Sequence, residues 1–374
     1  MGHLSHSKDE LVYHVLGERL NREPVGIRIN ETMMALLRRL YTESEALVGS
    51  DFPVVPVRID KIAAITGMSR DHLMPILENM AQKGLVIDLP RRDTVYYSLA
   101  PIMIGFFEYT FMRTREETDM QALSELFTTY FNDQETRALM GGLDTRMERT
   151  LVYERLIPAA VETEVLPYER ASELIRQAGG GAISLCACRH KASHLGTACD
   201  APLDVCTTLY PAAEWIIRRG LGRAATVEEL LAVLDRTEEL GLVHNCDNVM
   251  NQPAFLCHCC SCCCVVMTSI TEYGKYPTHP SNFIPALEPD GCINCGICAD
   301  RCPIKVMVME EDKGHEFPVL NQELCLGCGV CASSCPTGAI IMARRINLHV
   351  PPKTTRERNS LILAEKGKVC GGNA

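Results

Sequence analysis

The chain lacks any apolar run near the ~20 residues of a membrane-spanning helix. Its longest candidate, residues 101–112, is too short and carries Glu108. It opens MGHLSHSKDE, which is polar and without the apolar stretch of a secretory signal. His6 stands where a myristoylation motif on Gly2 would need Ser or Thr. A basic domain is also missing. Net charge is −10; the acidic excess is spread along the chain and only the tail 346–374 is positive. That is not the electrostatic footprint of a nucleic-acid binder, but an acidic surface suits docking onto a basic patch of a protein partner. Phosphate cradles are absent as well. Gly179-Gly180-Gly181 follows a helical pattern and leads into a strand, the reverse of a Rossmann turn. Gly220-Leu221-Gly222-Arg223 reads as a helix stop. No Walker motif, HExxH pair or Ser-His-Asp array occurs, so no intrinsic nucleotide site is expected.

Cysteine is what the chain has in abundance: there are twenty. In a secreted chain this density means disulfides; without a secretory signal it reads as metal binding. Several cysteines are adjacent or one apart, which suits coordination better than bridges. The expectation is a cytoplasmic protein of an anaerobic cell, because solvent-near iron-sulfur clusters are oxygen-labile.

The cysteines fall into two groups. Near the C-terminus stand Cys292-x2-Cys295-x2-Cys298-x3-Cys302-Pro303 and Cys325-x2-Cys328-x2-Cys331-x3-Cys335-Pro336. This doubled spacing is that of bacterial ferredoxins with two [4Fe-4S] clusters, and it argues against zinc. A compact loop lets three thiolates reach one cube, while the fourth cysteine of each run ligates the other cube. One cluster is therefore expected on Cys292, Cys295, Cys298 and Cys335, the other on Cys325, Cys328, Cys331 and Cys302. Gly296, Gly327 and Gly329 let backbone amides approach the sulfurs. The repeat extends beyond cysteine, and each copy reads as strand, cluster loop, helical turn, strand.

Upstream lies a second array. It comprises Cys186, Cys188, Cys199 and Cys206, then Cys257, Cys259, Cys260, Cys262, Cys263 and Cys264. Ten thiols are too many for core packing alone, so one or two further iron-sulfur clusters are expected. Neighbours in an extended chain point to opposite faces, which leaves either two clusters on opposite sides of the run or one larger cluster. The first four cysteines would suffice for one cube and the last six for another, or the two sets share. Cys246 and Cys370 read as free. His190, His194 and His258 lie beside cysteines and read as hydrogen-bonding residues before ligands. Arg189 reads equally as a neutraliser of an anionic cluster or as a surface residue.

The rest sets the domain order. Residues 1–30 read as a helical lead. Residues 31–112 show helical periodicity through Met33, Leu36, Leu37 and Leu40. A helix, a tight turn at Gly67, and a second helix capped by Ser69 follow. Two strands joined across 90–93 complete a segment that resembles a winged-helix domain. Residues 113–178 read as an acidic, mostly helical connector, 179–285 as a cysteine-rich α/β domain, 286–345 as the ferredoxin module and 346–374 as an extended tail. The fold class is multidomain α+β. The whole order resembles a family of anaerobe 4Fe-4S ferredoxin-type proteins. The matching pieces are ETEVLPYE (162–169), CACRHK (186–191), Cys199, Cys206, GLVH (241–244), CHCCSCCC (257–264) and SNFIPAL (281–287), with both ferredoxin runs. His258 and Ser261 depart from the Asn and Gly that the resemblance implies, and neither removes a thiolate. The resemblance implies electron transfer without naming a reaction.

Three functions are thus expected in rank. The first is a multi-cluster electron carrier, or the electron-transfer subunit of an oxidoreductase, with a redox protein partner. The second is a redox-sensing winged-helix regulator. The third is a reductase whose active-site cluster sits in the middle domain. The segment 69–83 carries Arg70 and Lys83 but also Asp71, Glu78 and Pro75, which argues against DNA reading.

Overall fold

The computed structural model describes residues 8–116 and 118–367. The N-terminal part packs helices Lys8–Leu20, Glu31–Leu40, Glu43–Ser50, Ile59–Thr66 and Arg70–Lys83. Met33, Leu36, Leu37 and Leu40 recur at helical spacing and are all buried, so one stripe of that helix faces the core. Asn30 caps its start by accepting from Met33 N. The Ser69 side chain accepts from His72 N, and Gly84, at φ +80°, ends the helix it starts. Strands Val86–Arg91 and Thr94–Leu99 form a hairpin, and the short strand Val57–Arg58 pairs antiparallel with the second of them. A cluster of Phe106, Phe107, Phe111, Phe127 and Phe131 ties this part to helix Met120–Phe131.

The centre is a seven-stranded sheet. Its spatial order is Thr278–His279, Glu148–Leu151, Val243–Asp247, Phe255–Cys259, Cys206–Leu209, Gly181–Ser184, Arg223–Ala225. All pairings are antiparallel except the parallel edge pair. Strand Glu148–Leu151 comes from the segment expected to be a helical connector, so the sheet runs across the expected boundary at 178. Its polar residues are buried, and Arg149 and Thr150 find partners within the fold. The Arg149 guanidinium donates to Val249 O (3.0 Å) and Tyr168 O (2.9 Å), and Thr150 Oγ1 to Asn245 Oδ1 (2.9 Å). Charge in the sequence thus disguised an interior strand.

The C-terminal module holds two hairpin-like sheets. Phe283–Leu287 pairs with Ile340–Arg344, and Met307–Asp312 with His315–Leu320. Short helices Ile297–Asp300 and Val330–Ser333 follow Gly296 and Gly329. This is the strand, loop, helical turn, strand order read from the repeat.

The tail corrects one expectation. It is extended only to about residue 354, and Thr355–Glu365 is a helix capped by Thr354. Its charges are not solvated linker charges: Arg358 is buried against Asp247, and Met250 N donates to Pro352 O (2.9 Å). Cys370 lies outside the described residues.

Candidate metal centres

The module's eight cysteines gather into two groups. Cys302, Cys325, Cys328 and Cys331 line one recess of about 370 Å³, together with Gly327 and Gly329. Cys292, Cys295, Cys298 and Cys335 line another of about 330 Å³. Each recess thus takes three thiols from one run and the fourth from the other. Gly327 N donates to Cys325 Sγ at 3.3 Å. At φ +65°, a Cβ on Gly327 would sit 2.0 Å from Phe283 O, so only glycine allows this approach. Burial pushes Cys328 up to about 12 and raises Cys325 and Cys331. Such thiols are costly to ionise unless a metal takes the thiolate. The residues present therefore fit iron-sulfur clusters. The group of Cys292, Cys295, Cys298 and Cys335 faces outward, with Cys295 exposed and Ile293 63% exposed. The group of Cys302, Cys325, Cys328 and Cys331 faces inward: Tyr153 N donates to Cys328 O at 3.2 Å.

The ten upstream cysteines divide differently from either grouping by sequence. Cys199, Cys260, Cys262 and Cys263 form an outer set, with every sulfur within 4.8 Å of the others. Within it, Cys262 Sγ lies 3.6 Å from Cys263 Sγ, and Cys263 Sγ 3.9 Å from Cys199 Sγ. The other six form an inner set. Cys188 bonds Cys264, Cys264 meets Cys259, Cys259 meets Cys257, and Cys257 meets Cys206. Cys186 lies beside Cys188 and Cys206 and closes the ring. Local geometry explains the split. Cys257 and Cys259 are two apart on one strand and share a face. The chain then turns through 261–263, which sends Cys260, Cys262 and Cys263 outward, and Cys264 returns inward as the cap of helix Val265–Tyr273. Cys199 crosses over to the outer set. Cys246 stands apart, its Sγ donating to Asp247 O at 3.2 Å.

Charged groups surround both sets, and of these the sequence reading weighs only Arg189 as a neutraliser of an anionic cluster. Arg189 is 1% exposed and lies beside Cys260 and Cys199. A hydrogen bond from Cys263 and the Arg189 guanidinium hold Cys260 down at about 4, against its burial. Arg137 and Lys191, both buried, act on Cys188 and Cys264. The Glu148 carboxylate acts on Cys259 and Cys264, and Glu108 on Cys188. Burial pushes Glu148 up to about 8, with Glu108 and Asp247 adding to it, and Glu108 up to about 7. Among the described residues Glu148 Oε2 has no hydrogen-bond partner. A buried carboxyl oxygen of this kind marks where an acid would face a bound group. Pairing of Glu148 opposite Asp247 in the sheet places it there, which the sequence alone did not signal.

The histidines point away from the thiols. His190 Nδ1 lies 2.7 Å from Phe111 O, and its Nε2 lies 3.1 Å from His194 Nε2. His258 faces the opposite side of the strand from Cys257 and Cys259, where Thr237 Oγ1 joins it to His244 (2.9 and 3.2 Å). The His258 and His244 rings are 4.9 Å apart, and Tyr153 lies 5.1 Å from His244. Tyr153, His244 and His258 thus form a column from the backbone of Cys328 to the strand carrying Cys257 and Cys259.

Residues 291–339 match the 4Fe-4S dicluster domain family. The C-terminal module is a ferredoxin-type dicluster domain. Comparison of the chain with curated proteins and with solved structures gives no match. No described helix is long and apolar enough to cross a membrane.

Proposed function

We propose that this protein is a multi-centre electron-transfer protein, acting alone or as a subunit of an anaerobic cytoplasmic oxidoreductase, in which the dicluster module serves the middle thiol array. Iron-sulfur clusters, when bound, supply one-electron storage. On this reading one is held by Cys292, Cys295, Cys298 and Cys335, and one by Cys302, Cys325, Cys328 and Cys331. A further cluster is held by the inner set, Cys186, Cys188, Cys206, Cys257, Cys259 and Cys264.

The observation that carries this reading is a shared core. Cys259 and Cys264 pack in the same apolar cluster as Cys298, Cys302, Cys325 and Cys331, a cluster that also holds Val152, Val243 and Phe283. Two metal regions separated by a wet interface would not transfer electrons rapidly; these share one dry interior. The outward recess, with exposed Ile293 and Cys295, supports docking of a redox partner at that end. Glu108 and Glu148 beside the inner sulfurs support a second reading, a reductase with its active site there.

The N-terminal segment reads as a winged-helix-like domain serving protein contacts. Glu78, on its second helix, bonds Arg219, and Asp88, in its hairpin, is held by Arg219 (2.9 Å), Trp215 (2.9 Å) and Arg218. These contacts occupy the domain with its own chain, which argues against the DNA-regulator alternative.

Anaerobic purification, iron and sulfide counts, and EPR during a reductive titration test the proposal. It expects signals beyond those of the dicluster module. A count of about eight irons with only ferredoxin-like signals, unchanged by Cys188→Ser or Cys259→Ser, would sink it.

A further inference from the structure

The outer set differs from the ferredoxin recesses in a way that bears on what it holds. A cube keeps its four protein sulfurs apart around a volume, and each ferredoxin group lines a recess without its four sulfurs all converging to within 4.8 Å. The outer sulfurs instead close on one another, with separations of 3.6 and 3.9 Å measured along the set and all within 4.8 Å. A metal bound tetrahedrally at the ~2.3 Å of a zinc–thiolate bond places its sulfurs about 3.8 Å apart. Among the described residues this is the group of side chains gathered tightly enough for one ion. The same structure thus holds cube-sized and ion-sized thiol groups side by side.

We infer that Cys199, Cys260, Cys262 and Cys263 bind a single four-coordinate thiophilic ion, zinc or iron(II), as a centre separate from the inner set. This rests on reading the middle region as a metal domain, but not on its moving electrons. Four protein thiolates leave no open coordination position, so the ion is structural or a one-electron site, not a catalytic one. A divalent ion with four thiolates is dianionic. Arg189, buried beside Cys260 and Cys199, supplies one positive charge that offsets half of this. The ion also has a mechanical task. Cys199 comes from the irregular stretch 197–205, and Cys260, Cys262 and Cys263 from the turn after Phe255–Cys259. Closing the tetrahedron staples that loop across the inner thiols. There Leu203 O accepts from Cys186 N at 2.7 Å and Pro202 O from the Arg189 guanidinium.

The test is metal analysis of the full chain purified without oxygen, paired with sulfide analysis. The expected result is about one zinc, or about one iron in excess of the cluster iron, per chain. Zinc-edge X-ray absorption should show sulfur at ~2.3 Å and no metal–metal scattering. If the ion is iron, 57Fe Mössbauer spectra should show a mononuclear ferrous tetrathiolate doublet. Cys262 is exposed, so a zinc chelator should remove the ion while the dicluster EPR signal persists. Cys199→Ser and Cys262→Ser should each weaken retention at least tenfold and leave sulfide unchanged. The wild-type absorption or Mössbauer spectrum needs no variant, so a misfolded substitution does not leave the question open. Loss of about four irons with their sulfide in Cys199→Ser would mean a cube and overturn the inference. An absence of any mononuclear ion in wild type would overturn it too. If sulfide matches the dicluster module alone while the ion is present, the electron-transfer reading of the inner set fails and this inference stands.

Discussion

The two cysteine regions solve the same problem, gathering thiols, by opposite means. In the ferredoxin module each run spans 11 residues, its loops carry glycines, and no charged side chain lines the recesses, although Arg345 stands beside Cys325. In the middle region the thiols arrive from distant stretches and are set by sheet pairing. Arg189, Arg137, Lys191, Glu108 and Glu148 stand around them. The first arrangement makes the module self-sufficient, so its chemistry is that of its clusters. The second makes the thiols depend on the surrounding fold and supplies charges that tune whatever they hold. A specific reaction would need the second kind of environment, and a wire only the first.

The comparison breaks most visibly under substitution of a shared sulfur. Cys264 touches both Cys188 and Cys259, so Cys264→Ser should abolish the inner centre's EPR signal and leave both dicluster signals intact. Cys331→Ser should do the converse and remove about four irons. If Cys264→Ser also erases the dicluster signals, the regions are not independent. Next in size is Asp88→Ala, which removes the buried carboxylate shared by Arg219, Arg218 and Trp215 and leaves Arg219 with Glu78 alone. It should cost about 3 kcal/mol in denaturant unfolding without altering iron content.

A smaller effect concerns the seam between the regions. His279 and His349 stack 3.8 Å apart, and His349 Nε2 lies 2.8 Å from Asn248 Oδ1. Burial holds His279 down at about 3 and His349 at about 4, each from 6.5. Both are neutral when folded, so below pH ~6.5 the unfolded chain binds protons that the folded chain does not. Their stabilisation is complete above that pH and is lost as pH falls toward about 4 and then 3. Both side chains are partly exposed, so the loss is about 1 kcal/mol. His349→Gln should flatten this part of the stability–pH curve, and an unchanged slope would remove the pair as its cause. The smallest expected effect is Tyr153→Phe. It removes the 2.8 Å bond from the Tyr153 hydroxyl to Leu242 O but keeps the ring in the column. About 1 kcal/mol should be lost, with intramolecular electron transfer unchanged, whereas Tyr153→Ala should slow it.

The same contrast governs what could be read in advance. Ferredoxin ligation is local, so spacing alone predicted the four-and-four exchange that the recesses display. The helices through Met33–Leu40 and 70–83 were legible because their apolar period and caps are local too. The outer and inner sets were not, since nothing adjacent to Cys199 indicates that it joins Cys260, Cys262 and Cys263 and leaves Cys186, Cys188 and Cys206. Glu148 escaped notice because ERTL reads as surface, yet all four residues are buried in a strand. Arg189 was ambiguous because burial is a tertiary fact. The tail helix was hidden by Pro351-Pro352 and by charges such as Arg358 and Glu365, whose partners Asp247 and Thr145 lie 111 and 220 residues earlier.

That helix has a consequence for biogenesis. Asp247, in the strand between Glu148–Leu151 and Phe255–Cys259, waits for Arg358, which is 111 residues downstream. Until the chain has grown that far, the sheet carrying Cys257 and Cys259 holds a buried carboxylate without its cation, and an uncompensated buried charge is strongly destabilising. The thiol array is therefore synthesised well before its scaffold can lock. Metal delivered during synthesis would meet an open sheet, and the Thr355–Glu365 helix would then close over a loaded site. A chain ending at Pro352 should bind iron at the dicluster module and release it readily from the middle region, as iron retention after gel filtration would show.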